Sequence, residues 1–291
     1  MKKQATVIVT ALVMLLMVFR SGAYADLQEV KQSGVLRHLG IPYANFVTGA
    51  GDGMDVELMQ LFAASLGVKY EYVKTDWGTV VEDLIGTKVK PAGQDVELLE
   101  PAPVKGDIIA NGFTILPWRK KVVDFSTPTF PSQIWLIARA DASVLPIKPS
   151  GILANDIAAV KALLKSRKVL ALKKTCLDPD LYNLSATGAN IILFNGKLNE
   201  LAPAIINGEA EMTILDVPDA LVALDKWPSK IKIIGPVSEQ QEMALGFPKN
   251  SPKLREAFNA FLQQCKQDGR YAAIVKKYYP SAFGYFPDFF K

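Results

Sequence analysis

The chain has 291 residues, with 49% hydrophobic and 21% charged side chains, ordinary globular values that suffice for one large or two medium domains. Its formal charge of +4 is concentrated at the start: Lys2, Lys3 and Arg20 precede residue 26 with no acid beside them, leaving 30 basic against 29 acidic residues. The near-neutral remainder excludes a nucleic-acid partner or an anionic membrane held by bulk charge, and a single histidine, His38, excludes a His-based triad and a multi-His metal centre.

Lys2 and Lys3 lead into an uncharged apolar run from Ala5 to Phe19, followed by small residues ending Ala23-Tyr24-Ala25. This predicts a cleaved secretory signal over residues 1–25 and a mature chain from Asp26. The run is shorter than the ~20 apolar residues that a membrane span needs. No Cys lies near the cut, which argues against a lipid anchor, and no second run of spanning length follows. The expected product is a soluble exported protein. Two cysteines remain, Cys176 and Cys265; an even count in an exported chain invites a disulfide.

Gly34 to Gly40 reads as a first strand, followed by a loop through Tyr43 and Phe46. Gly53 to about Ser65 reads as an amphipathic helix with Val56, Leu58, Leu61, Phe62 and Leu66 suited to one buried face, stopped by Gly67. Val68 to Val73 is a strand, and Asp76-Trp77 opens the next helix. Thr87 to about Lys105, rich in Pro and charge, reads as an exposed excursion with a short hairpin. Then comes Asp107 to Ser126. Ile108-Ile109-Ala110 is apolar strand, Asn111-Gly112 a turn, and Pro117 opens a helical turn carrying Arg119. Val122 to Phe125 is strand again. This sets the Thr114 hydroxyl and the Arg119 guanidinium at a strand's carboxyl end, where open α/β sheets hold ligands. The planar fork of Arg suits a carboxylate or phosphate.

Gln133 to Arg139 reads as extended and Ile157 to Leu164 as helix. Val169 to Leu172 is a strand, after which Thr175, with Asp178 three residues on, looks like a helix start, a place that favours an anion. Ile191 to Phe194 is strand, Leu198 to Ile206 helix. Met212 to Asp216 is a strand ending in a carboxylate, and Pro218 begins a helix. Ile231 to Ile234 is strand, Glu242 to Phe247 extended, and two helices follow from Ser251. The aromatic tail Ala282 to Phe290 is expected to dock on its own domain. Strands alternating with helices give an α/β architecture. No Gly-rich phosphate loop is present, and neither a cofactor nor a metal is expected.

The stretch Asp107, Gly112, Thr114, Ile115, Pro117, Arg119, Val123-Asp124-Phe125-Ser126 resembles the signature of type II periplasmic solute-binding proteins, solute-binding family 3, the polar amino acid branch. The resemblance covers nearly all of Gly34 to Tyr279. Leu116 stands where the family has a second Thr, Lys174 where it has Gly, and Cys176 where it has a second hydroxyl residue. It implies a two-lobed fold with a hinge of two crossing strands, the first over Gln133 to Arg139, and lobe one built from both chain ends. Residues 26–134 would open lobe one, with the insertion at about 87–105. Residues 135–241 would form lobe two, and 242–291 the return crossing, the last helices and the tail. By the same resemblance, Arg119 and Thr114, with Gly112, hold a ligand carboxylate, and Asp216 pairs an ammonium. Tyr43 stacks on the ligand, Trp77 lies near the cleft, and Thr175 contacts the ligand, caps a helix, or does both. Cys176 and Cys265 would fall in different lobes, which weakens the case for a disulfide. The implied function is capture without chemistry. A monomer in the periplasm would take up a small amino acid or organic acid and deliver it to an ABC permease in the inner membrane. Two alternatives stay open: an accessory protein of a periplasmic enzyme, and a dehydratase on the same fold.

Overall fold

The computed structural model describes residues 25–290; the secretory-signal reading lies outside the described residues. Asp26 opens helix α1 (Leu27–Ser33) through a reciprocal capping pair with Glu29, which satisfies two amide donors left free at a helix start. Strand β1 (Val35–Gly40), helix α2 (Met54–Leu66), strand β2 (Lys69–Lys74) and helix α3 (Val80–Ile85) follow. Trp77, expected to open that helix, lies in the turn before it. The excursion is a hairpin of β3 (Thr87–Ala92) and β4 (Asp95–Pro101). Its Val89 and Val96 pack inward on a cluster holding Val81, Leu84 and Trp118, and Asp95 pairs with Lys121 at 2.8 Å. Strand β5 (Ile108–Ile109), helix α4 (Pro117–Val122), β6 (Val123–Phe125) and β7 (Phe130–Ser132) complete the first half.

The second half runs β8 (Ile134–Arg139), α5 (Leu153–Ala162), β9 (Lys168–Ala171), β10 (Asn190–Leu193), α6 (Leu201–Ile206), β11 (Met212–Asp216), α7 (Val217–Lys226) and β12 (Ile231–Pro236). Then come β13 (Gln241–Met243), β14 (Gly246–Pro248), α8 (Pro252–Gln267), α9 (Arg270–Tyr278) and α10 (Ala282–Tyr285).

Two five-stranded sheets organise these elements into two lobes. The first has the order β2-β1-β5-β14-β6 and the second β10-β9-β11-β8-β12. β14 inserts antiparallel between β5 and β6, so lobe one is built from both chain ends. The lobes are joined by the antiparallel ribbon β7–β13. The first crossing thus lies at Phe130–Ser132 rather than over Gln133 to Arg139. Ile134–Arg139 already belongs to the second sheet, where it is buried along nearly its whole length, as a strand covered on both faces must be. Cys176 and Cys265 are both buried and free. The tail packs on the hinge: Phe290 lies 5.8 Å from Phe130, and Phe286 stacks on Trp135 at 6.5 Å.

α2 also fixes the turn that carries the signature. Its Asp55 accepts a bond from the Gly112 amide at 2.8 Å. Gly112 has φ +66°, and a Cβ there would come within 2.4 Å of the Phe46 ring, so only glycine fits. Burial lifts the Asp55 carboxyl from 3.8 to about 7. A folded-state value above the unfolded one means that the group's stabilisation is complete below about pH 4 and is lost as pH rises through about 7. Asp55→Asn keeps an acceptor for Gly112 and carries no charge. It should melt several degrees above the parent near pH 8.5, the gain vanishing near pH 4. Thermal denaturation at a series of pH values reads this, and an unchanged or lower melting temperature at the alkaline end would contradict it.

Candidate functional site

The segment Phe113–Ile115 is held in place by the second crossing. Ala244 N–H donates to Phe113 O at 3.1 Å, and Ile115 N–H to Glu242 O at 2.9 Å. Thr114 and Met243 form a β-bridge. Pro117 at the first helical position then starts α4, whose one-and-a-half turns swing Arg119 back over Thr114. The Arg119 Nη1 donates to Thr114 O at 2.9 Å. Its guanidinium carbon lies 4.1 Å from the Phe113 ring centroid, 5.4 Å from Trp118 and 5.8 Å from Trp77. Arg119 is 2% exposed. Its Nε and the Thr114 Oγ1 have no hydrogen-bond partner, and no carboxylate forms an ion pair with it among the described residues. Burial pulls the guanidinium from 12.5 to about 10, which leaves it charged at neutral pH.

Lobe two presents carboxylates to the same space. β11 ends at Asp216, which caps α7 by accepting from the Asp219 amide at 3.4 Å. Both side chains are buried. One Asp216 oxygen accepts from the Tyr43 hydroxyl of lobe one, and the other from the Cys176 thiol at 3.2 Å. Asp219 Oδ2 has no partner. Burial raises the Asp216 carboxyl, against the lowering effect of those donors. Burial and then the Asp216 charge push Asp219 well up. Cys176 is likewise raised by burial and then by Asp216, while Arg119 and Thr114 act in the other direction. The thiol is thus bonded to the carboxylate and feels the guanidinium's charge.

The lobes touch at a second point, where Ala44 N–H donates to Asn199 Oδ1 at 3.0 Å. Trp77 meets Tyr43 edge-on at 5.5 Å. Arg119, Thr114, Tyr43, Trp77 and Asp216 thus share one interlobe space. Gly112 stands behind it, with its amide spent on Asp55. Thr175 is turned into its own loop, donating to Leu172 O at 2.8 Å and accepting from Leu177 N–H at 3.0 Å. The helix start expected at Thr175 comes later: Asp178 caps a short 3-10 turn, Pro179–Tyr182, because Pro179 suits its first position.

Three groups at the site carried no sequence-based role. The Tyr182 hydroxyl donates to Cys176 O at 2.5 Å and accepts from Gln241 Nε2 at 3.3 Å. Asp219 is the third, its Oδ2 without a partner. The signal available was Cys176 itself, standing where the resembled family has a hydroxyl residue.

The model of the bacterial extracellular solute-binding proteins, family 3, matches residues 85–281. The chain belongs to that family. Among curated relatives of this family 3 protein, the amino-acid-binding protein AabA of Dichelobacter nodosus is 23% identical, covering 80% of this chain and 81% of that one. A probable amino-acid ABC transporter-binding protein of Haemophilus influenzae is 25% identical over 82% and 78%. The membrane-bound lytic murein transglycosylase F of Desulfosudis oleivorans is 27% identical over 74% of this chain, which spans only 44% of the transglycosylase's length. Among solved structures, ArgBP from T. maritima superposes with a TM-score of 0.68 at 23% identity, covering 87% of this chain and 99% of that one. The ancestral amino acid-binding protein AncCDT-1, a precursor of cyclohexadienyl dehydratase, gives 0.67 at 24%, over 87% and 98%. At such identities the structural likeness speaks for the fold.

The Tyr43–Asp216 bond ties lobe to lobe directly over the Cys176 thiol. Tyr43→Phe should therefore speed alkylation of Cys176 several-fold, with Cys265 unchanged as internal control. Peptide mapping after timed iodoacetamide treatment reads both sites, and equal rates for Cys176 in the two proteins would contradict the tie.

Proposed function

We propose that the protein captures a small carboxylate-bearing, amino-acid-like solute between its lobes. In this reading it works in the periplasm and hands the solute to an ABC permease in the inner membrane. The observation that carries the reading is Arg119: a charged guanidinium, buried and without an anionic partner among the described residues. A buried cation is costly unless paired, and its free Nε, beside the Thr114 hydroxyl, offers the two-pronged geometry that a carboxylate accepts. Asp216 and Asp219 face the same space from the other lobe, so a solute touching both sides gains contacts only when the lobes meet. That differential gain is what shifts an open–closed equilibrium. The amino-acid-binding names among the relatives support the same class of solute.

A catalytic alternative rests on one observation, the two adjacent carboxyls that burial holds toward their protonated form, a state suited to proton donation. The AncCDT-1 neighbour belongs to a dehydratase lineage. Incubation with cyclohexadienyl acids, followed by mass spectrometry for loss of water, separates catalyst from binder.

The main reading is tested by a thermal-shift screen over amino and organic acids, because a ligand of the folded state raises its melting temperature. Calorimetry on the best hit then compares the parent with Arg119→Met. Removing one partner from a buried ion pair costs ~3 kcal/mol or more, so affinity should fall at least about 100-fold. The ligand-free variant should be at least as stable as the parent, since an unpaired buried charge is gone. Retained affinity in a folded Arg119→Met protein would sink the reading.

A further inference from the structure

On the far side of Trp77 from Arg119, both lobes line a cavity of about 380 Å³. Trp77 is the shared wall. Its ring lies 5.8 Å from the Arg119 guanidinium on one side, and it lines this cavity on the other. Leu172 and Leu198 of lobe two supply apolar surface opposite. The rim is basic. Lys74 comes from lobe one, and Lys174 and Lys197 from lobe two; none of the three has an ion-pair partner among the described residues. Lys173 is neutralised by Asp178 and Asp180. The one acid on the rim, Asp76, has an oxygen tied into its own turn by the Gly78 amide at 2.8 Å. Lys174 keeps the left-handed backbone, φ +63°, that glycine adopts freely and other residues adopt at a cost. A strained residue at a cleft is a pointer to function, in that direction of argument.

At the inner end, Asp216 places no demand for a cation on the solute. Tyr43 and Cys176 already donate to its two oxygens. A guanidinium thus lies on one side of Trp77 and three lysines on the other, with the indole and the apolar surface of Leu172 and Leu198 between them.

We propose that the solute is an elongated dianion: one carboxylate on Arg119, an apolar or aromatic body passing Trp77, and a second anionic group on Lys74, Lys174 and Lys197. This rests on the capture reading and narrows it, away from the cationic amino acids that several structural neighbours bind.

The test uses matched probes of one chain length: adipate, hexanoate and 6-aminohexanoate, with L-arginine alongside, measured by calorimetry. Adipate should bind the parent at least about fivefold tighter than hexanoate, and 6-aminohexanoate should bind no tighter than hexanoate. The adipate advantage should shrink as salt rises from about 20 to about 300 mM, because exposed lysines are screened. Exchanging Lys74, Lys174 and Lys197 together for Gln should cancel the advantage and leave hexanoate unchanged; circular dichroism checks that the variant is folded. Equal affinities in the parent, a preference for L-arginine or 6-aminohexanoate, an adipate advantage that survives the triple exchange, or no response to any of the four probes would overturn the proposal. The capture reading is judged separately: hexanoate binding that survives Arg119→Met removes that reading, whereas a failed triple exchange removes only the dianion.

Discussion

A guanidinium taken out of water without a carboxylate beside it is the constraint around which this molecule is arranged. Isolated burial of that kind costs several kcal/mol, and the fold supplies only partial relief. Arg119 gives one hydrogen to the Thr114 carbonyl and lies against Phe113, Trp118 and Trp77. Aromatic faces attract a cation, though less strongly than an anion does. The surroundings show how rigidly that position is imposed. The return crossing zips onto Phe113 and Ile115 from one side. Asp55 holds Gly112 from behind, and the inserted hairpin packs Val89 and Val96 into the cluster that contains Trp118. A charge held this firmly in a poor environment is preorganised for something brought to it.

The facing lobe answers with two buried carboxyls. Asp216 takes hydroxyl, thiol and amide donors, the Asp219 Oδ2 takes none, and no cation forms an ion pair with either among the described residues. Cys176 donates its thiol to Asp216, and Tyr182 with Gln241 links its carbonyl back to the hinge ribbon. Polar bonds thus tie the lobes at this site, while Leu181 of lobe two packs on the lobe-one apolar cluster.

Much of this could be read from the chain. Arg119 and Thr114 sit in a stretch whose Gly, Pro and apolar residues dictate strand, turn and short helix in turn. Asp216 ends a run of buried residues immediately before a Val-Pro helix start. Other features escaped for physical reasons. Ile134–Ala138 is uniformly apolar, which fits a buried sheet strand as well as a crossing, while the true ribbon at Phe130–Ser132 contains a proline and carries no strand signature. Thr175 and Asp178 have cap-like spacing, but Pro179 places the start of the turn at Asp178. The Cys176–Asp216 and Tyr43–Asp216 bonds join residues far apart in sequence and exist only when the lobes meet, so no local pattern encodes them. The tail's docking partner, Trp135 at the hinge, was likewise invisible, although the aromatic content made docking itself foreseeable.

The position of β14 bears on how the chain reaches this state. The second sheet draws all its strands from one continuous stretch, Ile134 to Pro236, whereas the first waits for Gly246–Pro248 to slot between β5 and β6. Bringing distant segments together costs chain entropy before any contact repays it, and such topologies fold slowly. During synthesis, lobe two can therefore mature while lobe one remains an incomplete sheet with an open edge, the very edge that carries Ile109 beside the Arg119 turn. The sheet that carries the Arg119 turn is thus completed last.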